Sequence, residues 1–167
     1  MKNSVFRILF IAIFFISPAC SSDNDQRDFE REAYSYPSGF TKTDEHGKVI
    51  ENDPDDWRIA PLYQGLISKV GPSSPNPLSF GSEADLDIFI NSAQTTSFIS
   101  LEYRNVNDEW REIDYRELRS EAGTVNLKID SYLFSTSGSA ESARGLNRVY
   151  LFDDNNHIIS YGDIMIE

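Results

Sequence analysis

The sequence predicts an all-β protein, an antiparallel two-sheet sandwich of about seven strands standing behind a signal segment and a disordered acidic tether. Three observations carry that expectation. From Pro61 onward, apolar residues recur at every second position in short runs, the alternation of strands with one face in a core. No helical period competes with it. Turn-forming residues separate the runs, at Asn107-Asp108 and at Asp153-Asp154-Asn155-Asn156, and a Ser-rich loop runs from Ser135 to Ala143. The 167 residues include one cysteine, Cys20, so the domain must hold by packing, without an internal disulfide or a cysteine-ligated metal.

In chain order, Lys2 and Arg7 precede an apolar run from Ile8 to Ile16. That is the pattern of a secretory signal, since a membrane span needs ~20 apolar residues. Ser17, Pro18 and Ala19 then lead into Cys20. This arrangement resembles the lipobox of bacterial lipoproteins, with Ser17 where that family usually carries Leu. The resemblance implies cleavage between Ala19 and Cys20, and lipidation of Cys20 with a diacylglycerol and palmitate-type chains. One acyl chain contributes ~0.8 kcal/mol per buried methylene and anchors only marginally, so two or three would hold the protein at a bilayer.

Residues 1–19 are thus the signal, and 20–56 form the lipidated start, an acidic tether and a small hairpin. From Ser21 to about Tyr34, apolar residues are too sparse to offset the entropy of ordering, which predicts a flexible leash. The acidic residues straight after the cysteine resemble the surface-export signals of lipoproteins in Bacteroidota-like bacteria. Between Phe40 and Ile50, Asp44-Glu45-His46-Gly47 has the chemistry of a hairpin turn, with Gly47 supplying the positive φ. Asp53, Asp55 and Asp56 follow, beside Pro54. Their carboxylates are candidate ligands for a hard cation such as calcium, but their spacing is not that of the Asp-x-Asp-x-Asp-Gly loop. A charged turn leading to a buried Trp57 at one end of the core explains them equally well.

The sandwich is expected over 57–167. Leu62, Leu66 and Val70 mark a first strand. Leu86, Ile88 and Ile90 mark a second, with Asp85, Asp87 and Phe89 on its other face. Ile99, Leu101 and Tyr103 make a third, Ile113 and Tyr115 a fourth, and Val125, Leu127 and Ile129 the clearest, a fifth. Val149 and Leu151 mark a sixth. Ile158, Ser160, Gly162, Ile164 and Ile166 share one face of a seventh, with Ile159, Tyr161 and Met165 opposite. Ser74-Pro75-Asn76-Pro77-Leu78 before an alternating strand, Gly145-Leu146-Asn147-Arg148-Val149-Tyr150 opening the penultimate one, and a strand running to Glu167 resemble the Ig-like sandwiches of type IX secretion sorting domains and flagellar hook-capping proteins. The resemblance covers roughly Ile59 to Glu167 and implies an Ig-like fold. The chain ends in Ile-Met-Ile-Glu, where sorting domains carry a basic tail.

Composition narrows function by exclusion. With 15 basic and 27 acidic residues the net charge is −12, and losing the signal removes Lys2 and Arg7 but no acid, which deepens it to −14. Long-range repulsion then opposes nucleic acid and anionic head groups, so contact with a membrane must run through lipid. His46 and His157 are the only histidines, both in turn contexts, and neither stands beside a marked nucleophile. The glycines of Gly138 to Gly145 fit neither a nucleophile elbow nor a phosphate loop. No catalytic residue and no cofactor is assigned. Phe89, Tyr150 and Phe152 fall opposite the core parity of their strands, Trp110 follows the turn at Asn107-Asp108-Glu109, and the four form a candidate contact surface for a protein or glycan. If the Tyr34 to Ile50 segment covers that face, they are simply buried. The expected function is non-catalytic binding or scaffolding by a lipid-anchored protein of the outer membrane, on its periplasmic or surface side. The alternatives are a stand-alone sorting-type module and a carboxylate-dependent envelope hydrolase.

Overall fold

Alternation of side chains places one face of each run against a common core, and each run becomes a strand. The structure, a computed structural model, describes residues 22–91, 96–118 and 122–167; the signal segment with Ala19 and Cys20 lies outside them. A helix, α1 (Ser22–Ala33), and a hairpin of β1 (Lys42–Thr43) and β2 (Val49–Glu51) precede the domain. Its strands are β3 (Ile67–Val70), β4 (Glu83–Ile90), β5 (Phe98–Arg104), β6 (Trp110–Glu117), β7 (Gly123–Asp130), β8 (Gly145–Asp153) and β9 (Ile158–Ile166). They form an Ig-like antiparallel sandwich of two sheets, ordered β3-β4-β7 and β6-β5-β8-β9. Leu86, Ile88, Leu127 and Ile129 from one sheet and Ile99, Leu101, Val149, Leu151, Ile164 and Ile166 from the other are buried in the core. Among the described residues, no helix is long and apolar enough to cross a membrane.

Local chemistry explains where the structure departs from the pattern. Leu62 lies on a 3-10 turn, Pro61–Tyr63, and is exposed, while Tyr63 takes the buried position. Proline's fixed φ suits the start of a helical turn, which ends the period-two register there. Between Leu101 and Glu102 the β5–β6 register slips by a bulge, so Ile113 packs partly on the core while Tyr115 faces solvent. The hairpin forms as expected, with Gly47 at φ 77°. Trp57 is buried with its ring against Gly162, where an added Cβ would lie 2.2 Å from the indole. The Ser-rich loop contains a single helical turn, α2 (Ala140–Ala143), that buries Ala143.

The stretch expected as a leash is helical from Ser22 to Ala33. Phe29 and Ala33, one turn apart, are buried, and the Phe29 ring meets Tyr161 on the outer face of β9 at 5.2 Å. Sparse apolar content disfavours order in an isolated segment, but two correctly spaced residues suffice once a sheet face is there to receive them. Gln26 to Glu30 (2.8 Å) and Arg31 to Asp28 (2.9 Å) add links along the helix.

The free edge of β9 is closed by its neighbours. Trp57 N–H donates to Tyr161 O (2.7 Å), Ala60 N–H to Ile159 O (2.8 Å) and Leu78 N–H to Met165 O (2.8 Å). Asn76, between Pro75 and Pro77, donates from Nδ2 to Asp163 O (2.9 Å) and to Thr41 O (3.0 Å) and accepts Met165 N–H at Oδ1 (3.0 Å). The prolines need no ladder donor, and the asparagine amide supplies what they lack. The edges of β6 and β7 are joined differently, by one side chain. The carboxylate of Asp114 accepts Tyr115 N–H (2.8 Å) from its own strand and Lys128 N–H (2.7 Å) from β7.

Candidate contact surface

Aromatic side chains gather on the outer face of the four-stranded sheet because β8 places Tyr150 and Phe152 two residues apart, on the side away from the core. Their rings stack at 5.9 Å and 19°. Trp110, opening β6, leans across β5 to meet Tyr150 at 5.1 Å and Phe152 at 5.5 Å, edge-on to both. Such tilted pairs suit the ring quadrupoles. Tyr34, just past α1, reaches Tyr150 from the other side at 5.7 Å. Tyr150 and Phe152 are thereby buried, while Trp110 and Tyr34 remain 41% and 53% exposed. Beside them runs a groove of about 490 Å³ lined by Tyr34, Tyr36, Arg104, Asn147 and Tyr150, with Val106 at its lip. Tyr36 is 96% exposed and Val106 88%, so the groove offers uncovered apolar area.

One arginine positions the surface. Arg148 forms a two-pronged pair with Asp163, Nε to Oδ1 at 2.8 Å and Nη2 to Oδ2 at 2.7 Å. Its Nη1 donates to the carbonyls of Glu32 (3.1 Å), Ala33 (3.2 Å) and Ser35 (2.9 Å), and its guanidinium lies over the Tyr161 ring at 4.9 Å. A cation at the carbonyl end of a helix satisfies groups that have no partner within it and complements the dipole. Arg58 adds an ion pair to Glu32 (2.7 Å) and a bond to the Tyr161 hydroxyl (2.8 Å). Together they fix the end of α1, and with it Tyr34.

The acidic side of this junction is crowded. Asp56 accepts Thr41 N–H (2.6 Å) and Asp163 N–H (2.9 Å) with its two oxygens. Burial and the neighbouring charges of Asp163 and Asp53 outweigh those donors and push its carboxyl up to about 7. Burial also raises Asp163, against the pull of Arg148. Burial likewise raises the Tyr150 hydroxyl.

The structure separates residues that the sequence grouped. Trp110, Tyr150 and Phe152 come together, but Phe89 lies on the outer face of the other sheet, with Lys69 Nζ 5.8 Å from its ring. The strand alternation predicted its parity correctly but could not say which sheet β4 joins. Asp53 and Asp55 form a turn, Asp55 N–H donating to Asp53 Oδ1 (3.0 Å), while Asp56 serves as the clamp just described. Among the described residues, no group of three or more His, Cys, Asp or Glu is placed to hold a metal ion. His46 sits exposed in the hairpin turn. His157 meets Asp153 at 3.3 Å, and Asp153 is buried, accepting the Tyr63 hydroxyl (2.6 Å) and the N–H groups of Asn155 (2.9 Å) and His157 (2.7 Å). Although burial pushes Asp153 up, these bonds hold it below the usual carboxylate range. They also close the β8–β9 turn, a structural use for the carboxylate. Tyr34, Arg148 and Asp163 were not singled out by sequence; the signal available was an arginine and an aspartate within the two largely apolar terminal strands.

Comparison with protein-family models and with curated proteins finds no match for this chain.

Proposed function

We propose that the chain is a lipid-anchored cell-envelope protein, held to the outer membrane through acylated Cys20, whose sandwich binds or scaffolds a neighbouring envelope protein or glycan without catalysis. The observation that carries the binding part is the aromatic surface. Tyr34, Tyr36 and Val106 stand exposed along a groove that Tyr150 and Arg104 also line, and Trp110 stands exposed beside Tyr150; tryptophan, tyrosine and arginine are the residue types that concentrate binding energy. Its position supports the same reading, because Tyr34 follows directly on the helix that leads back toward Cys20. An anchored protein would hold this groove close to its membrane neighbours.

Two measurements test the two halves. Metabolic labelling with a clickable palmitate analogue should mark the protein and be lost in Cys20→Ala; unchanged labelling removes the anchor. A photo-crosslinking residue at Val106 should then capture one specific envelope component, with capture reduced by Trp110→Ala. Capture that ignores Trp110 would move the contact elsewhere.

A further inference from the structure

We propose that the outer face of the four-stranded sheet receives an arginine-bearing segment of a partner protein, its guanidinium clamped between Glu102 and Glu112 beside the Trp110 ring. The inference rests on reading the aromatic surface as a binding face, and it names the chemistry of the occupant. β5 and β6 pair Glu102 with Glu112, Arg104 with Trp110 and Ser100 with Tyr115. Residues directly opposite share a face, so the two carboxylates lie between Trp110 and Tyr115, on strands ~5 Å apart. On its other side Glu102 is paired with Tyr150 of β8. Trp110 crosses β5 to meet Tyr150 and Phe152, which carries its indole past the row that Glu102 occupies. Trp110, Glu112 and Tyr115 are exposed, and Glu102 is half-buried.

Like charges directly opposite one another on a sheet cost stability. Among the described residues, neither carboxylate of this pair meets a lysine or an arginine. Glu102 accepts the Ser100 hydroxyl (3.0 Å), while Arg104, Arg111 and Arg116 are joined to other carboxylates, those of Asp108, Glu109 and Asp114. A cation from outside removes the repulsion, so the face favours a positively charged occupant over a neutral glycan. Arginine fits better than lysine, because its planar fork reaches two carboxylates at once while its flat side stacks on an indole. Trp110 and Tyr115 stand opposite Arg104 and Ser100, ~13 Å apart along the sheet, which is room for a polypeptide segment and more than a lone cation needs. Tyr115, backed by Phe98 at 5.2 Å, gives the residues flanking that arginine apolar area to cover.

The probe is an acetylated, amidated pentapeptide with one arginine between glycines, added at constant ionic strength to the full chain in polyoxyethylene detergent micelles. Its comparison is the same peptide with citrulline, which keeps the planar head and loses the charge. The indole N–H resonance of Trp110, assigned through Trp110→Phe, should shift saturably with the arginine peptide, with an affinity at least about fivefold lower for citrulline. Glu102→Gln with Glu112→Gln should weaken binding to the same extent. Glu45→Gln with Glu51→Gln, which removes equal charge from the exposed hairpin, should leave it unchanged. No saturable shift by ~10 mM peptide, equal binding of the citrulline form, or equal weakening by the hairpin pair would each overturn the proposal. So would a Trp110 shift driven by cellohexaose and untouched by the paired glutamine change, which makes the occupant a glycan. Capture at Val106 that depends on Trp110 but not on Glu102 and Glu112 would keep the binding surface and remove this occupant.

Discussion

Asp56 is where a single proton couples most directly to the fold. Its carboxyl is held near 7, above the ordinary value of 3.8, so between those limits the folded chain binds a proton that the unfolded chain has released. Stability from this group is therefore fully present below about pH 4 and is lost as pH rises through 7. Asp163, also raised, acts in the same direction. Asp44, Asp85 and Asp153 are lowered and act in the opposite direction, but only below the ordinary carboxylate range. Urea denaturation at pH 5 and pH 8 should show a loss on the order of 1–2 kcal/mol at the higher pH, allowing for residual solvent around Asp56. Asp56→Asn should flatten that dependence; an unchanged profile would place the titration elsewhere. At Gly162 the constraint is steric. A Cβ there would meet the buried Trp57 ring at 2.2 Å, so Gly162→Ala should cost about 1–3 kcal/mol by overpacking. Adding Trp57→Leu to Gly162→Ala should cost less than the sum of the two single changes, as a double-mutant cycle would measure.

At the scale of elements, α1 depends on residues far from it in sequence. Arg148 pairs with Asp163 where their side chains are 8% and 2% exposed, and the same guanidinium caps the helix carbonyls. Removing it leaves a buried carboxylate unpaired and the helix end unsatisfied. Arg148→Ala should lower stability by about 3–5 kcal/mol and speed amide exchange through Ser22–Ala33. Arg148→Lys should restore little, because an ammonium cannot make the fork with Asp163 while reaching three carbonyls. If α1 exchange stays slow in Arg148→Ala, Phe29 and Arg58 alone hold the helix. This dependence explains what the sequence concealed. Val125, Leu127 and Ile129 report their strand by local alternation, whereas α1 has only Phe29 and Ala33 as an apolar stripe, and its other contacts come from residues distant in sequence: Arg58, Leu62, Arg148 and Tyr161. The aromatic surface was legible in parity and not in partners, since alternation places Tyr150, Phe152 and Phe89 off the core without saying that β8 and β4 belong to different sheets.

For the molecule as a whole, the last strand has two roles that a sheet edge seldom combines. Every residue of β9 except Met165 is buried, because its inner face meets the core while α1 and the segment around Arg58 cover its outer face. Its edge also receives Trp57, Ala60, Asn76 and Leu78, so the segment joining the hairpin to the sandwich is anchored to it. Deleting Ile158 to Glu167 would therefore strip the core of Ile158, Ile164 and Ile166, uncover β8, and release residues 56–78 from their main-chain bonds. Each buried aliphatic side chain lost contributes roughly 1.5–3 kcal/mol, and three of them approach the whole stability of a domain this size. The truncated chain should show no cooperative urea transition and should lose near-ultraviolet circular dichroism from the buried tryptophan and tyrosines. A delivery defect seen with that truncation would report unfolding. Glu167, exposed at the end of the chain, permits the cleaner comparison, since replacing it with a basic residue alters the tail and leaves the core in place. A truncated chain that still unfolded cooperatively would mean that β5 and β8 close the sandwich without β9, contrary to the burial on both of its faces.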